Sequence, residues 1–133
     1  MKLLALFTIA LFTTLSSFAA ENPQIRACRV AGGEFMVANS PEDQIGLCKF
    51  DLSLVGSIDI LNKDARIEVP LSLHNYKKGV QICSSQNMAM LITFDKKEIL
   101  VCQYYDGSII DIDTLVSGKN SGRNTLLNSA LGL

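Results

Sequence analysis

The chain has 133 residues, a formal net charge of −1, 48% hydrophobic residues and no tryptophan. Its lysines and arginines are scattered, so it lacks the clustered positive surface that phosphate backbones require, and nucleic acid is not an expected partner. No segment approaches the roughly 20 consecutive apolar residues that a membrane-spanning helix needs, so no transmembrane span is expected in the mature chain.

The chain opens on Lys2, the apolar run Leu3 to Phe12, and small residues leading to Ser17-Phe18-Ala19. That order of positive start, short apolar run and small-residue site reads as a secretory signal peptide over residues 1–19, cut after Ala19. The expected location is therefore periplasmic or secreted, where cysteines oxidise. The mature remainder is large enough for one compact domain.

In the first cysteine-stapled unit, residues 20–62, Asn22-Pro23 supplies a cap and a first-turn proline for a helix carrying Ile25, Cys28 and Val30. Gly32-Gly33 stops it. Phe35 to Val37 reads as a strand, Asn39 to Asp43 as a turn, and Ile45 to Phe50 as the returning strand. Ser57 to Leu61 is expected to be a third strand. Asn62 to Asp64 is a turn.

The second unit, residues 63–118, begins with an expected edge strand, Ile67 to Leu73, interrupted by Pro70. Tyr76 to Ser85 reads as its helix, with Asn87 as the left-handed stop. Met90 to Phe94 and Ile99 to Tyr104 are strands around the turn Asp95 to Glu98, and this pair is expected at the centre of the domain. Asp106-Gly107 marks a tight turn before a strand from Ser108 to Leu115. Ser117 to Asn124 is rich in glycine, serine and asparagine, so residues 119–133 read as a flexible C-terminal tail.

The two units echo one another. Cys28 and Cys48 precede Gly56-Ser57-Ile58-Asp59-Ile60; Cys83 and Cys102 precede Gly107-Ser108-Ile109-Ile110-Asp111-Ile112. Four cysteines admit three pairings. The repeat favours the local one, Cys28–Cys48 and Cys83–Cys102, because each bridge then occupies the same place in its own unit. Metal or redox use of the cysteines would require close Cys-x-x-Cys pairs, and the sequence has none. A unit of this size buries too little surface to stand alone, so the expected fold is α+β. Two helix-plus-antiparallel-strand repeats would pack into one small domain with approximate twofold symmetry.

Asn22-Pro23, Cys28, Gly32-Gly33, Gly46 and Cys48 together resemble the start of a small exported bacterial family, domain of unknown function 333, which carries a haemolysin label. Cys102 to Asp113 resembles that family's later part. The resemblance implies a degenerate tandem duplication spanning about residues 22 to 118. It departs from the family pattern in lacking tryptophan and in having no Asp-Gly turn after Cys48.

Chemistry-bearing residues are few. His74 is the only histidine and has no nucleophile signature near it, so it reads as a surface or helix-entry residue. Asp111 and Asp113 alternate with isoleucines on an expected strand and would face one way. With Asp106 they are candidate oxygen ligands for calcium, although the calcium-loop pattern is not met. Asp59 stands where Asp111 stands in the other copy and is expected to share a structural role with it. No cofactor is expected, and the leading reading is an exported, non-catalytic module that binds an unknown protein or envelope component. A membrane-active, haemolysin-like protein is the alternative, and so is a small secreted hydrolase or hydrolase inhibitor whose stapled loop, Asn39 to Gln44, enters an active site.

Overall fold

A computed structural model describes residues 21–133; the expected signal peptide and its cleavage point lie outside the described residues. Helix α1, Pro23–Val30, starts where the Asn22 side chain accepts a hydrogen bond from the Gln24 N–H at 2.9 Å. Gly32, with φ of 90°, turns the chain out of it as anticipated. Strands β1 (Glu34–Asn39), β2 (Gln44–Phe50) and β3 (Ser53–Gly56) follow as an antiparallel meander, and helix α2 covers Ser57–Leu61. Helix α3, Leu71–Lys78, precedes a single 3-10 turn at Ser85–Asn87. A second meander, β4 (Met88–Thr93), β5 (Glu98–Gln103) and β6 (Ile109–Asp111), leads into α4 (Ile112–Ser117), a 3-10 turn at Gly122–Asn124 and α5 (Thr125–Leu131).

The six strands close into an antiparallel barrel in the order β1-β2-β3-β6-β5-β4. The meanders pair along most of their lengths, but the seams joining them are thin. Ala38 and Asn39 pair with Thr93 and Ile92 at the β1–β4 seam, and Val55 pairs with Ile110 at the β3–β6 seam.

Side chains alternate between two apolar layers, as the period of a strand requires. Ala38, Leu47, Leu91, Val101 and Ile109 fill the barrel, with Met36, Ile45, Leu54, Ala89 and Ile99 around them. Phe50, Val55, Ile110 and the cysteines of β2 and β5 point outward instead. There they meet Ile60, Leu73, Tyr76, Leu115 and Leu127 from the helices. Each large side chain buried this way contributes about 1.5–3 kcal/mol, against roughly 1 kcal/mol for one ladder hydrogen bond. The helical layer, rather than backbone pairing, therefore holds the β3–β6 seam shut.

Both disulfides are local: Cys28–Cys48 joins α1 to β2, and Cys83–Cys102 joins the chain after α3 to β5, with Cα separations of 5.6 and 5.8 Å. Two such bridges fit an oxidising, extracellular or periplasmic setting. Among the described residues no helix is long and apolar enough to cross a membrane.

Several expected elements differ. Ser57 to Leu61 is helix α2, not a strand, and the third strand lies earlier, at Ser53–Gly56. Pro70 does not interrupt a strand; it caps α3, where its carbonyl accepts from the His74 N–H at 2.9 Å. That helix begins five residues earlier than expected and stops at Gly79, whose φ of 80° suits glycine, so Cys83 and Asn87 lie beyond it. Ser108 to Leu115 divides into β6 and α4, because Asp111 turns inward as a helix cap.

The C-terminal segment expected to be loose is packed. Asn124 is fully buried, donates to the carbonyls of Thr114 (3.1 Å) and Gly118 (2.9 Å), and accepts from Ser53 Oγ at 2.6 Å. Leu127 beside it is fully buried as well. Polarity here serves internal hydrogen bonding rather than a linker. β4, expected at the centre, is a wall strand. Its alternate residues Met88, Met90 and Ile92 are exposed, and Phe94 just past its end is 95% exposed.

Candidate functional site

One end of the barrel is open. Between the β1–β2 turn on one side and β4 on the other lies a cavity of about 730 Å³. That size lies within the range of sites that hold small ligands or short segments. Ile45, Ala89 and Ile109 form its apolar floor, continuing the barrel interior. Gln24 of α1 and Gln103 at the end of β5 put amides at its edge, and Glu42 and Asp43 on the turn are the charged residues of its lining.

Local chemistry sets these positions. Ser40 Oγ accepts from the N–H of Asp43 at 3.0 Å and donates to its carbonyl at 3.1 Å, folding the turn back on itself. Gln24 is held by Ser57, whose hydroxyl donates to Gln24 Oε1 at 2.6 Å. Gln103 follows the inward phase of Ile99 and Val101. Gly46 keeps the wall thin, since a Cβ there would meet the Phe35 ring at 2.9 Å as well as Ser57 Oγ.

A second cavity of about 680 Å³ lies over α2 and the start of α3, lined by Ile67, Val69, Tyr105, Asp59 and Asp106 among others. A chain of hydrogen bonds runs beneath it. Ser72 Oγ donates to Asp59 Oδ2 at 3.0 Å, and the Ile109 N–H donates to the same oxygen at 2.8 Å. Ser108 Oγ accepts from the Ser72 N–H at 2.9 Å and donates to Asp106 Oδ1 at 2.6 Å. Burial outweighs these donors at Asp59 and pushes its carboxyl up to about 7. Gly56 is required beside it, because a Cβ would come within 2.6 Å of Asp59 Oδ2.

Two of the three candidate calcium ligands, Asp106 and Asp111, are employed in separate hydrogen-bond sets. At Asp106 partial burial is outweighed by donors from Ser108 and the Leu71 N–H, which hold the carboxyl below its ordinary value. Asp111 caps α4 through the Thr114 N–H at 3.1 Å and lies 3.8 Å from Arg123. Its carboxyl is raised by burial, against the pull of Thr114 and Arg123. Asp113 is exposed in the first turn of α4, so it does not share a strand face with Asp111. Among the described residues no group of three or more His, Cys, Asp or Glu is placed to hold a metal ion.

Asp59 and Asp111 are not equivalent either. Asp111 is the N-cap of α4, whereas the N-cap of α2 is Gly56 and Asp59 lies inside that helix. The shared Gly-Ser-Ile-Asp wording is offset against the elements that carry it. His74 is exposed on α3. The loop Asn39 to Gln44, singled out in the sequence, lies on the mouth, whereas Gln24 and Gln103 carry no signal in the sequence, because they converge on it from α1 and β5 only after the barrel closes.

No family model, no curated protein and no solved structure matches this chain.

Proposed function

We propose that the mature chain is an exported, non-catalytic binding module that engages a protein or envelope component at the open mouth of its barrel. The observation that carries this reading is the mouth itself: an apolar floor, amides at its edge and an acidic rim, framed by two disulfide-tied meanders. Such a lining recognises and orients a ligand. The buried hydroxyl–carboxyl pair, Ser72 and Asp59, lies under the other cavity and is committed to holding α3 against β6.

The module arose by duplication of a unit resembling the small exported family named above. Helix, three strands and helix follow in that order twice, and each bridge ends in the middle strand of its meander. The seams join first strand to first strand and third to third, as a twofold arrangement requires.

A photo-cross-linking residue at Gln44, on the mouth, tests the binding reading against the same residue at Lys49, outside the lining. Envelope components captured from Gln44 and not from Lys49 are expected. Equal capture from both positions overturns the placement of the site. A membrane-active role is the second reading, favoured by the exposed Met88, Met90, Ile92, Phe94 and Leu100. Leakage from dye-loaded liposomes on adding mature protein would establish it in place of the first.

A further inference from the structure

Beyond Ile92 the outer edge of β4 loses its partner. β1 pairs with β4 only at Ala38↔Thr93 and Asn39↔Ile92, and then turns away at Ser40. Among the described residues no strand pairs with Met88 to Leu91 on that side. The phase of the ladder identifies which backbone groups are left. The Thr93 N–H donates to the Lys97 carbonyl at 2.9 Å, toward β5. Alternation along an antiparallel strand then directs Leu91 and Ala89 to β5, and Met90 and Met88 to the open side. The Met88 N–H is taken by the Ser85 carbonyl. The N–H and C=O of Met90 and the C=O of Met88 remain, and Met90 lines the mouth.

We infer that the mouth takes an extended, basic peptide segment, which adds to β4 as a further strand; this rests on the binding reading above and names its ligand class. Three features converge on that occupant. The open stretch of four residues is about 13 Å long at the rise of a strand, enough to register a short segment by backbone bonds. Side chains in phase with Ala89 would lie over the apolar floor of Ile45, Ala89 and Ile109. Among the described residues the charged groups of the lining are Glu42 and Asp43, with no cation beside them, so a lysine or arginine of the segment is complemented and an acidic one is repelled. Both carboxylates are exposed, and their contribution is therefore to selectivity and salt dependence more than to affinity.

The test uses mature protein and a displayed library of short random peptides. Enrichment of alternating sequences carrying lysine or arginine is expected, with the Met90 amide resonance shifting on titration of the selected peptide. Methylating the peptide nitrogen that faces β4 leaves the protein untouched and should weaken binding about tenfold, the loss of one backbone hydrogen bond. Glu42→Gln with Asp43→Asn should weaken the basic peptide several-fold and flatten its salt dependence. Selected peptides that bind at the mouth but tolerate methylation at every backbone nitrogen would overturn strand addition. No enrichment at all, with capture from Gln44 intact, would reject a peptide ligand and leave the binding reading standing. Loss of both would end the two together.

Discussion

The two seams of this barrel are closed by different means. At β3–β6 a single register pair is backed by side chains that take over the work of the ladder. The Ile109 N–H finds Asp59, the Leu54 N–H finds Thr114 Oγ1 at 3.2 Å, and Ser53 finds Asn124. The outer apolar layer of helices lies over that seam. At β1–β4 two register pairs stand alone, no described residue pairs with the outward backbone groups of Met90, and Met88, Met90 and Ile92 remain exposed. Backbone groups that lose a ladder partner need a replacement when buried and none when wet. One seam is thus filled with polar side chains, and the other leaves backbone groups of β4 open to a further partner.

The difference can be broken most forcefully at its staples. Replacing Cys28 and Cys48 by alanine should cost about 2–5 kcal/mol in denaturant unfolding, since the bridge ties α1 onto the covered side. A loss under about 1 kcal/mol would mean that helix packing alone holds that side.

Asp59 gives the covered seam a pH dependence. Its carboxyl titrates near its ordinary value of 3.8 in the unfolded chain and near 7 when folded. Between those values the folded state holds the extra proton, so stability should fall as pH rises from about 4 to about 7 and level off above. The linkage relation bounds the fall at about 4 kcal/mol. Asp59→Asn should flatten this slope while keeping an acceptor for the Ile109 N–H. Parallel stability curves for the two proteins across that window would refute the assignment.

Asn124→Ala removes two donors and an acceptor from a fully buried site, leaving the Thr114 and Gly118 carbonyls and Ser53 Oγ short of partners. A loss of about 1–3 kcal/mol is expected by thermal or urea unfolding. A loss within about 0.5 kcal/mol would show that the C-terminal segment is not integral to the covered seam.

The smallest effect belongs to the open seam. Met90→Thr and Ile92→Thr alter exposed, strand-compatible positions and should change stability by under about 0.5 kcal/mol. Losses comparable to those at Asn124 would erase the contrast between the seams.

Much of the scaffold was legible in the linear chain, for physical reasons that are local. Asn22-Pro23 and Gly32 bound α1 because caps and stops act within a turn. Asp106-Gly107 makes a turn because Gly107 accepts a φ of 83° wherever it stands. The cysteine echo predicted the local bridges, which link neighbouring elements of one unit. What failed was long-range. Ser57 to Leu61 has strand-like wording but becomes a helix, where Asp59 reaches the N–H of Ile109 fifty residues away. Asn124 reads as linker because its partners, Ser53, Thr114 and Gly118, include one seventy-one residues distant.

By itself, then, the sequence determined the stapled α+β character of this protein, its turns and the pairing of its cysteines, all set by propensity and short loops. Only the tertiary structure decided which seam is filled, where Gln24, Gln44 and Gln103 meet, and which backbone groups of β4 face the mouth. Those depend on barrel closure, and closure is a balance of buried area and satisfied hydrogen bonds between elements that carry no mark of one another in the chain.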